Sequence, residues 1–220
     1  AVGGGIGGAV AYFFFLSALG MGPYALTISI YTMSFLIPVA FSIVVWARPL
    51  GTVTASGLLL IAAGITLITA STASGQGQPK AAWARWLGLL GVAFLLTGIP
   101  QVSQAAAARL GAINLWFYLF LTFSAGAAAL WLFILLKGTM PGRGVLSYGA
   151  LAAVGSIAGN FFTLKALVKL PEPVVFPVSL AGPVIAAVLL SVLFFKEKTR
   201  PLGYLGILLG LGGIVLLALG

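Results

Sequence analysis

The chain divides almost end to end into apolar stretches about as long as a bilayer is thick. A helix crossing the hydrocarbon core takes roughly 20 predominantly apolar residues, because every backbone polar group must be satisfied inside the segment. Of 220 residues, 61% are hydrophobic and 6% charged. That leaves too few polar side chains for the water-facing shell of a soluble domain. The sequence therefore predicts an all-α, polytopic membrane protein.

Eight spans can be placed: Ala1 to Leu19, Ala25 to Trp46, Leu50 to Ala70, Trp86 to Leu110, Ile113 to Leu136, Val145 to Leu170, Val174 to Phe195 and Pro201 to Gly220. Gly20-Met21-Gly22-Pro23, Arg48-Pro49, KGTMPGRG (Lys137 to Gly144), Pro171-Glu172-Pro173 and KEKTR (Lys196 to Arg200) separate them. Pro100, inside the fourth span, lacks a backbone donor and is expected to kink it. STASGQGQPKAAWAR, from Ser71 to Arg85, reads as the single real linker, which divides the chain into 1–70, 71–85 and 86–220.

Eleven Lys and Arg against two acids give a formal charge of +9. In a soluble protein this would suggest nucleic acid, which is not expected here. The cations fall mostly in short loops, where they fix topology and meet lipid headgroups. With no cysteine, disulfides and thiolate metal sites are excluded. No basic region precedes an apolar stretch at the start, so no signal peptide is read, and residues are expected to be missing before Ala1.

Two segments recur. AYFFFLSALGMGP (Ala11 to Pro23) and GNFFTLKALVKLP (Gly159 to Pro171) are identical at six of thirteen positions. GLLLIAAGITLI (Gly57 to Ile68) and GILLGLGGIVLL (Gly206 to Leu217) agree at six of twelve, nearly in phase with the first match. The first three helices thus duplicate the last three. The copies start five helices apart, an odd number, so they run in opposite directions through the membrane, an inverted repeat. Copy two is preceded by two helices that copy one lacks. The predicted architecture is an inverted repeat of five-helix units with the first two helices missing.

The segment LPEPVVFPVSLAGPVIAAVLLSVLFFKEKTRPLGYLGILLGLGGIVLL, Leu170 to Leu217, carries a Pro-containing turn, a helix with an internal Pro, a short charged loop with a Glu and a Gly-punctuated last helix. In this layout the chain resembles the drug/metabolite transporter superfamily, specifically its EamA-like permeases, over helices three to ten of a ten-helix protein. In copy one the corresponding charged loop is reduced to Ala47-Arg48-Pro49 without an acid, a departure from the pattern. The resemblance implies a secondary transporter, a permease or exporter, moving a small metabolite, amino acid or drug-like molecule by alternating access. It also implies a bacterial inner membrane, and a monomer or homodimer. The alternatives are a non-transporting membrane scaffold or subunit and a membrane-embedded enzyme.

Residues three and four apart share a helix face. Thr27, Tyr31, Ser34 and Ser42 form one stripe with Pro38. Thr97, Gln101 and Gln104 form a second, and Ser156, Asn160 and Thr163 a third, while Asn114 and Tyr118 accompany them on the fifth span. Lone Ser and Thr in membranes commonly bond back to the backbone or between helices. The amides of Gln101, Gln104 and Asn160 have more donors and acceptors than packing satisfies and point to a cavity. Tyr12 occupies the repeat position of Asn160, so this pair is the expected midplane site. Tyr31, Trp116 and Tyr118 offer stacking surfaces for a planar or cationic substrate, and Trp116 equally suits an interfacial anchor.

Lys165 lies about 180° from Ser156 at ~100° per residue, so it and Lys169 are read as snorkelling, with Glu172 as a partner for Lys169. With no His, and both acids, Glu172 and Glu197, in loops, no proton carrier stands in a span. No phosphate-binding Gly loop precedes a Lys-Ser/Thr pair, so ATP is not indicated. The inventory lacks the paired acids, His and metal ligands that catalysis would need; no cofactor is expected. A strongly anionic substrate has no basic partner on the polar stripes, which favours neutral, zwitterionic or amphipathic cationic molecules. Lys and Arg number seven on the side of the KEKTR loop and four on the other. The positive-inside rule therefore puts that loop in the cytoplasm, whereas the resemblance puts it outside.

Overall fold

The computed structural model describes residues 1–72, 80–111, 114–138, 142–194 and 200–219. The rest of the KEKTR loop before Arg200, with Glu197, and residues 73–79 of the expected linker lie outside the described residues. The helices are α1 (Val2–Leu19), α2 (Tyr24–Thr32), α3 (Leu36–Val44), α4 (Thr52–Thr72), α5 (Lys80–Leu110), α6 (Leu115–Lys137), α7 (Arg143–Lys169), α8 (Glu172–Phe194) and α9 (Pro201–Leu219). No strand occurs among the described residues. With α2 and α3 taken together, they form eight segments long and apolar enough to span a bilayer.

Three boundaries differ from the sequence reading. The second span is not one helix: a 3-10 turn, Met33–Phe35, interrupts it. Pro38 has no N–H for the Ser34 carbonyl and its ring crowds that oxygen, so the chain tightens just before it. The expected linker is partly helical, because α4 extends to Thr72 and α5 begins at Lys80. Glu172 is not in a loop; it opens α8 and is buried, at 2% exposure. Proline is tolerated in a first helical turn, where a missing N–H costs nothing, so Pro173 starts this helix rather than ending one.

The main core forms where α3, α4, α5, α8 and α9 meet, around Phe35, Ile61, Ile65, Phe176, Ile185 and Leu217. Close backbone approach, not bulk, defines the α4–α9 seam. A Cβ on Gly64 would lie 2.7 Å from the Gly206 carbonyl oxygen, and one on Gly213 would lie 2.7 Å from that of Gly57. Small residues permit this approach, and van der Waals packing then holds the helices where lipid offers no hydrophobic drive. The pairing runs antiparallel, since Gly57 meets Gly213 while Gly64 meets Gly206.

Helix α1 lies against α5 and α6 in the same manner. Gly4 abuts Ser103, Gly7 abuts Ile99, and Gly5 abuts the backbone of Thr122 and Gly126. A second cluster, Ala18, Trp86 and Leu90, closes the end of the bundle that holds the α1–α2 turn. There Trp86 Nε1 donates to Thr27 Oγ1 at 3.0 Å, and Thr27 Oγ1 donates to the Pro23 carbonyl at 2.8 Å.

At the opposite end the α3–α4 break meets α8. Ala47 adopts φ +50°, a left-handed conformation rare for a residue with a Cβ. The flanking side chains diverge from this corner to separate partners. Trp46 lies beneath Arg109, whose guanidinium carbon is 4.4 Å from the ring centroid. Arg48 Nε stands 3.3 Å from Glu172 Oε2. Glu172 therefore pairs with Arg48 and not, as expected from spacing, with Lys169; Lys169 is exposed. An acid in the first turn also complements the positive end of the α8 dipole.

Candidate functional site

The polar side chains that the bundle gathers come from three helices. Gln101 and Gln104 lie one turn apart on α5, just after Pro100, and both are buried. Ser156, Asn160 and Thr163 follow at helical spacing on α7, and Ser179 faces them from α8. Together with Phe162, Phe176 and Leu180 they line a cavity of about 560 Å³, within the roughly 300–1,000 Å³ range of small-molecule sites.

The amides are wired to one another. Asn160 Nδ2 donates to the Ser156 carbonyl at 2.8 Å, and Gln104 Nε2 donates to Asn160 Oδ1 at 2.5 Å. Gln101 Nε2 donates to Ser34 Oγ at 3.2 Å, which ties α5 to the 3-10 turn. Thr163 Oγ1 donates to the Gly159 carbonyl at 2.9 Å and lies 3.3 Å from Ser179 Oγ. Gln101 Oε1 is buried without any hydrogen-bond partner. An acceptor left in this way is costly in a low-dielectric interior, and a cavity beside it is where a partner would come from.

Of the residues singled out from sequence, the structure brings Gln101, Gln104, Ser156, Asn160 and Thr163 to this one cavity. Ser34 stands behind it through Gln101. The others serve elsewhere. Thr27 holds Trp86, and Thr97 and Ser42 bond back to the carbonyls of Ala93 and Val39. Tyr31 stacks on Phe15 with ring centroids 4.1 Å apart. Asn114 caps α6, its Oδ1 accepting from Trp116 N at 2.9 Å and Phe117 N at 3.4 Å. Tyr118 is buried and donates to Ser103 Oγ at 3.0 Å.

Tyr12 is half exposed and does not join Asn160 at the cavity. Trp116 is also exposed and stacks on Phe161, whose ring carries Lys165 Nζ 4.9 Å from its centroid. Sequence reasoning missed Ser179. The signal was a hydroxyl standing alone between Pro177 and Pro183 in a mostly apolar stretch, a pattern that marks freed backbone carbonyls.

The EamA-like transporter family model matches residues 83–219, more than half of the chain, and includes every residue that lines the cavity. The chain belongs to the EamA-like transporter family. As an EamA-like protein it is a polytopic membrane transporter, of a family of transporters rather than enzymes. A solved crystal structure superposes on it with TM-score 0.74 at 21% identity, over 98% of this chain and 75% of the other; at that identity the likeness is one of fold. No match was found among curated proteins.

Proposed function

We propose that this EamA-like protein is a permease that moves a small organic molecule, a metabolite, amino acid or drug-like compound, across the membrane by alternating access. Its substrate site is the cavity among α5, α7 and α8. The observation that carries the reading is a cluster of amides, the buried Gln101 and Gln104 with the partly buried Asn160, around about 560 Å³ of space in a largely apolar bundle. Interhelical hydrogen bonding alone needs no such space.

The α4–α9 seam supports the inverted repeat that alternating access uses. Under the sequence match, Gly57 corresponds to Gly206, Gly64 to Gly213 and Ile68 to Leu217. The contacts exchange accordingly: Gly57 meets Leu217 at 3.0 Å and Gly206 meets Ile68 at 2.9 Å, from positions where each Cβ would stand. Reciprocal contacts of this kind are the mark of a two-fold axis, here relating the two copies within one chain. Two oppositely oriented halves supply two equivalent states, open to either side. On the family resemblance we place the protein in a bacterial inner membrane.

The test is flux. Purified protein in proteoliposomes should move some member of a panel of radiolabelled amino acids, amines and neutral metabolites, and the recovered solute should be chemically unchanged. A product of altered mass would make it an enzyme, and absence of flux across the panel would leave the scaffold.

A further inference from the structure

Resting on the reading of the cavity as the ligand site, we propose that its occupant presents an N–H-bearing head, as a primary amine or primary amide does, on an apolar body. The hydrogen-bond network itself sets this polarity. A side-chain amide has one acceptor end and one donor end, and the neighbours decide which way round it sits. The Ser156 carbonyl is an acceptor only, so Asn160 must turn Nδ2 towards it. Asn160 Oδ1 then faces Gln104, and Gln104 must turn Nε2 towards that oxygen. The relay starts from a backbone atom that cannot reverse, and it leaves the Gln104 carbonyl oxygen as the free end.

The second glutamine is not fixed in the same way, because the Ser34 hydroxyl that it meets can donate as well as accept. Gln101 Nε2 is engaged by Ser34, and Gln101 Oε1 is the buried atom without a partner. On α8, Pro183 has no N–H to offer the Ser179 carbonyl four residues earlier, and Ser179 lines the same wall. On this wall the amide donors of Asn160 and Gln104 are thus engaged by neighbouring residues and the Gln104 carbonyl oxygen is left as an acceptor, beside the hydroxyls of Ser156 and Ser179. Phe162, Phe176 and Leu180 make the remaining wall apolar. Among the described residues no Lys or Arg lines the cavity, so a carboxylate head would meet only neutral hydroxyls, those of Ser156 and Ser179, and no positive charge.

The prediction distinguishes N–H donation from positive charge alone. The probes are 2-phenylethylamine and its N-methyl, N,N-dimethyl and N,N,N-trimethyl derivatives, which keep one body and one charge while donors are removed stepwise, with 3-phenylpropionate as the donorless anion. Binding to the detergent-purified protein is read by microscale thermophoresis and by competition between probes. Affinity should fall at each methylation, with the primary amine tighter than the quaternary one by roughly tenfold or more, the scale set by leaving a buried acceptor unsatisfied. Gln104→Met, of similar shape but lacking the carbonyl, should flatten the series to within about twofold.

Equal affinity of the primary and quaternary amines overturns the proposal while leaving the cavity as a ligand site. Tighter binding of 3-phenylpropionate, or binding of none of the probes by a protein that transports other solutes, overturns it as well. Should Gln104→Met not fold, the methylation series on the unaltered protein decides alone. The flux assay on proteoliposomes judges the transport reading separately.

Discussion

Replacing Arg48 and Glu172 one at a time should have very different costs. Glu172 is 2% exposed and sits at the start of α8, whereas Arg48 is 36% exposed at the α3–α4 corner. Taking away Arg48, as in Arg48→Met, leaves a buried carboxylate without its counter-charge; Glu172 Oε2 has no hydrogen bond to fall back on. Breaking a fully buried pair in this direction costs about 3–5 kcal/mol. Because Arg48 is partly solvated, we scale the loss to roughly 1–3 kcal/mol. Glu172→Gln leaves a guanidinium that water already reaches, and the cost there is about 0–1 kcal/mol. At roughly 2–4 °C per kcal/mol for a chain of this size, Arg48→Met lowers the melting midpoint by about 2–12 °C. Glu172→Gln then lowers it by at most about 4 °C, and adding Glu172→Gln to Arg48→Met recovers most of the loss. Thermal unfolding of the detergent-solubilised variants, followed by size-exclusion fluorescence, measures all of these. Equal losses for the two single variants, or a double variant worse than Arg48→Met alone, would refute the assignment of a buried pair.

Gly64→Leu and Gly206→Leu should each destabilise the protein by about 1–3 kcal/mol or more, and by similar amounts, since each side chain would meet backbone 2.7 Å away. Gly91→Leu, with nothing within 4 Å of its Cβ position, should leave the melting midpoint unchanged. Asn114→Ala should cost about 0.5–2 kcal/mol through loss of the α6 cap, visible as a lower melting midpoint with the transport KM unaltered. Asn160→Leu should reduce flux in proteoliposomes at least tenfold, on the scale of a lost buried hydrogen-bonding group, whereas Tyr12→Phe should transport as the parent does.

The spans were legible because a bilayer imposes length and apolarity together, and few charges interrupt the pattern. Residue type also carried Gln104 and Asn160, since amides rarely face lipid. What could not be read was pairing at long range. Nothing around Arg48 or Glu172 in sequence shows that the α3–α4 corner meets the start of α8, and the Pro-Glu-Pro motif read as a break because prolines that open a helix look, from sequence, like prolines that end one. Tyr12 shows the limit of transferring a site through a repeat: its counterpart Asn160 faces the cavity, while Tyr12 is half exposed. The hydroxyls of Thr27 and Tyr118 and the amide of Asn114 fall by spacing on polar stripes of the second and fifth spans, yet partners away from the cavity claim them.

Alternating access requires a single cavity that opens to either side of the membrane. The chain has no cysteine, so Ser156→Cys places one thiol at the α7 wall of that cavity. In proteoliposomes of uniform orientation, a membrane-impermeant maleimide should label this thiol from outside in one experiment and from the lumen in another. A transported solute should slow both reactions. Labelling from one side only, under conditions in which flux proceeds, would contradict alternating access through this cavity.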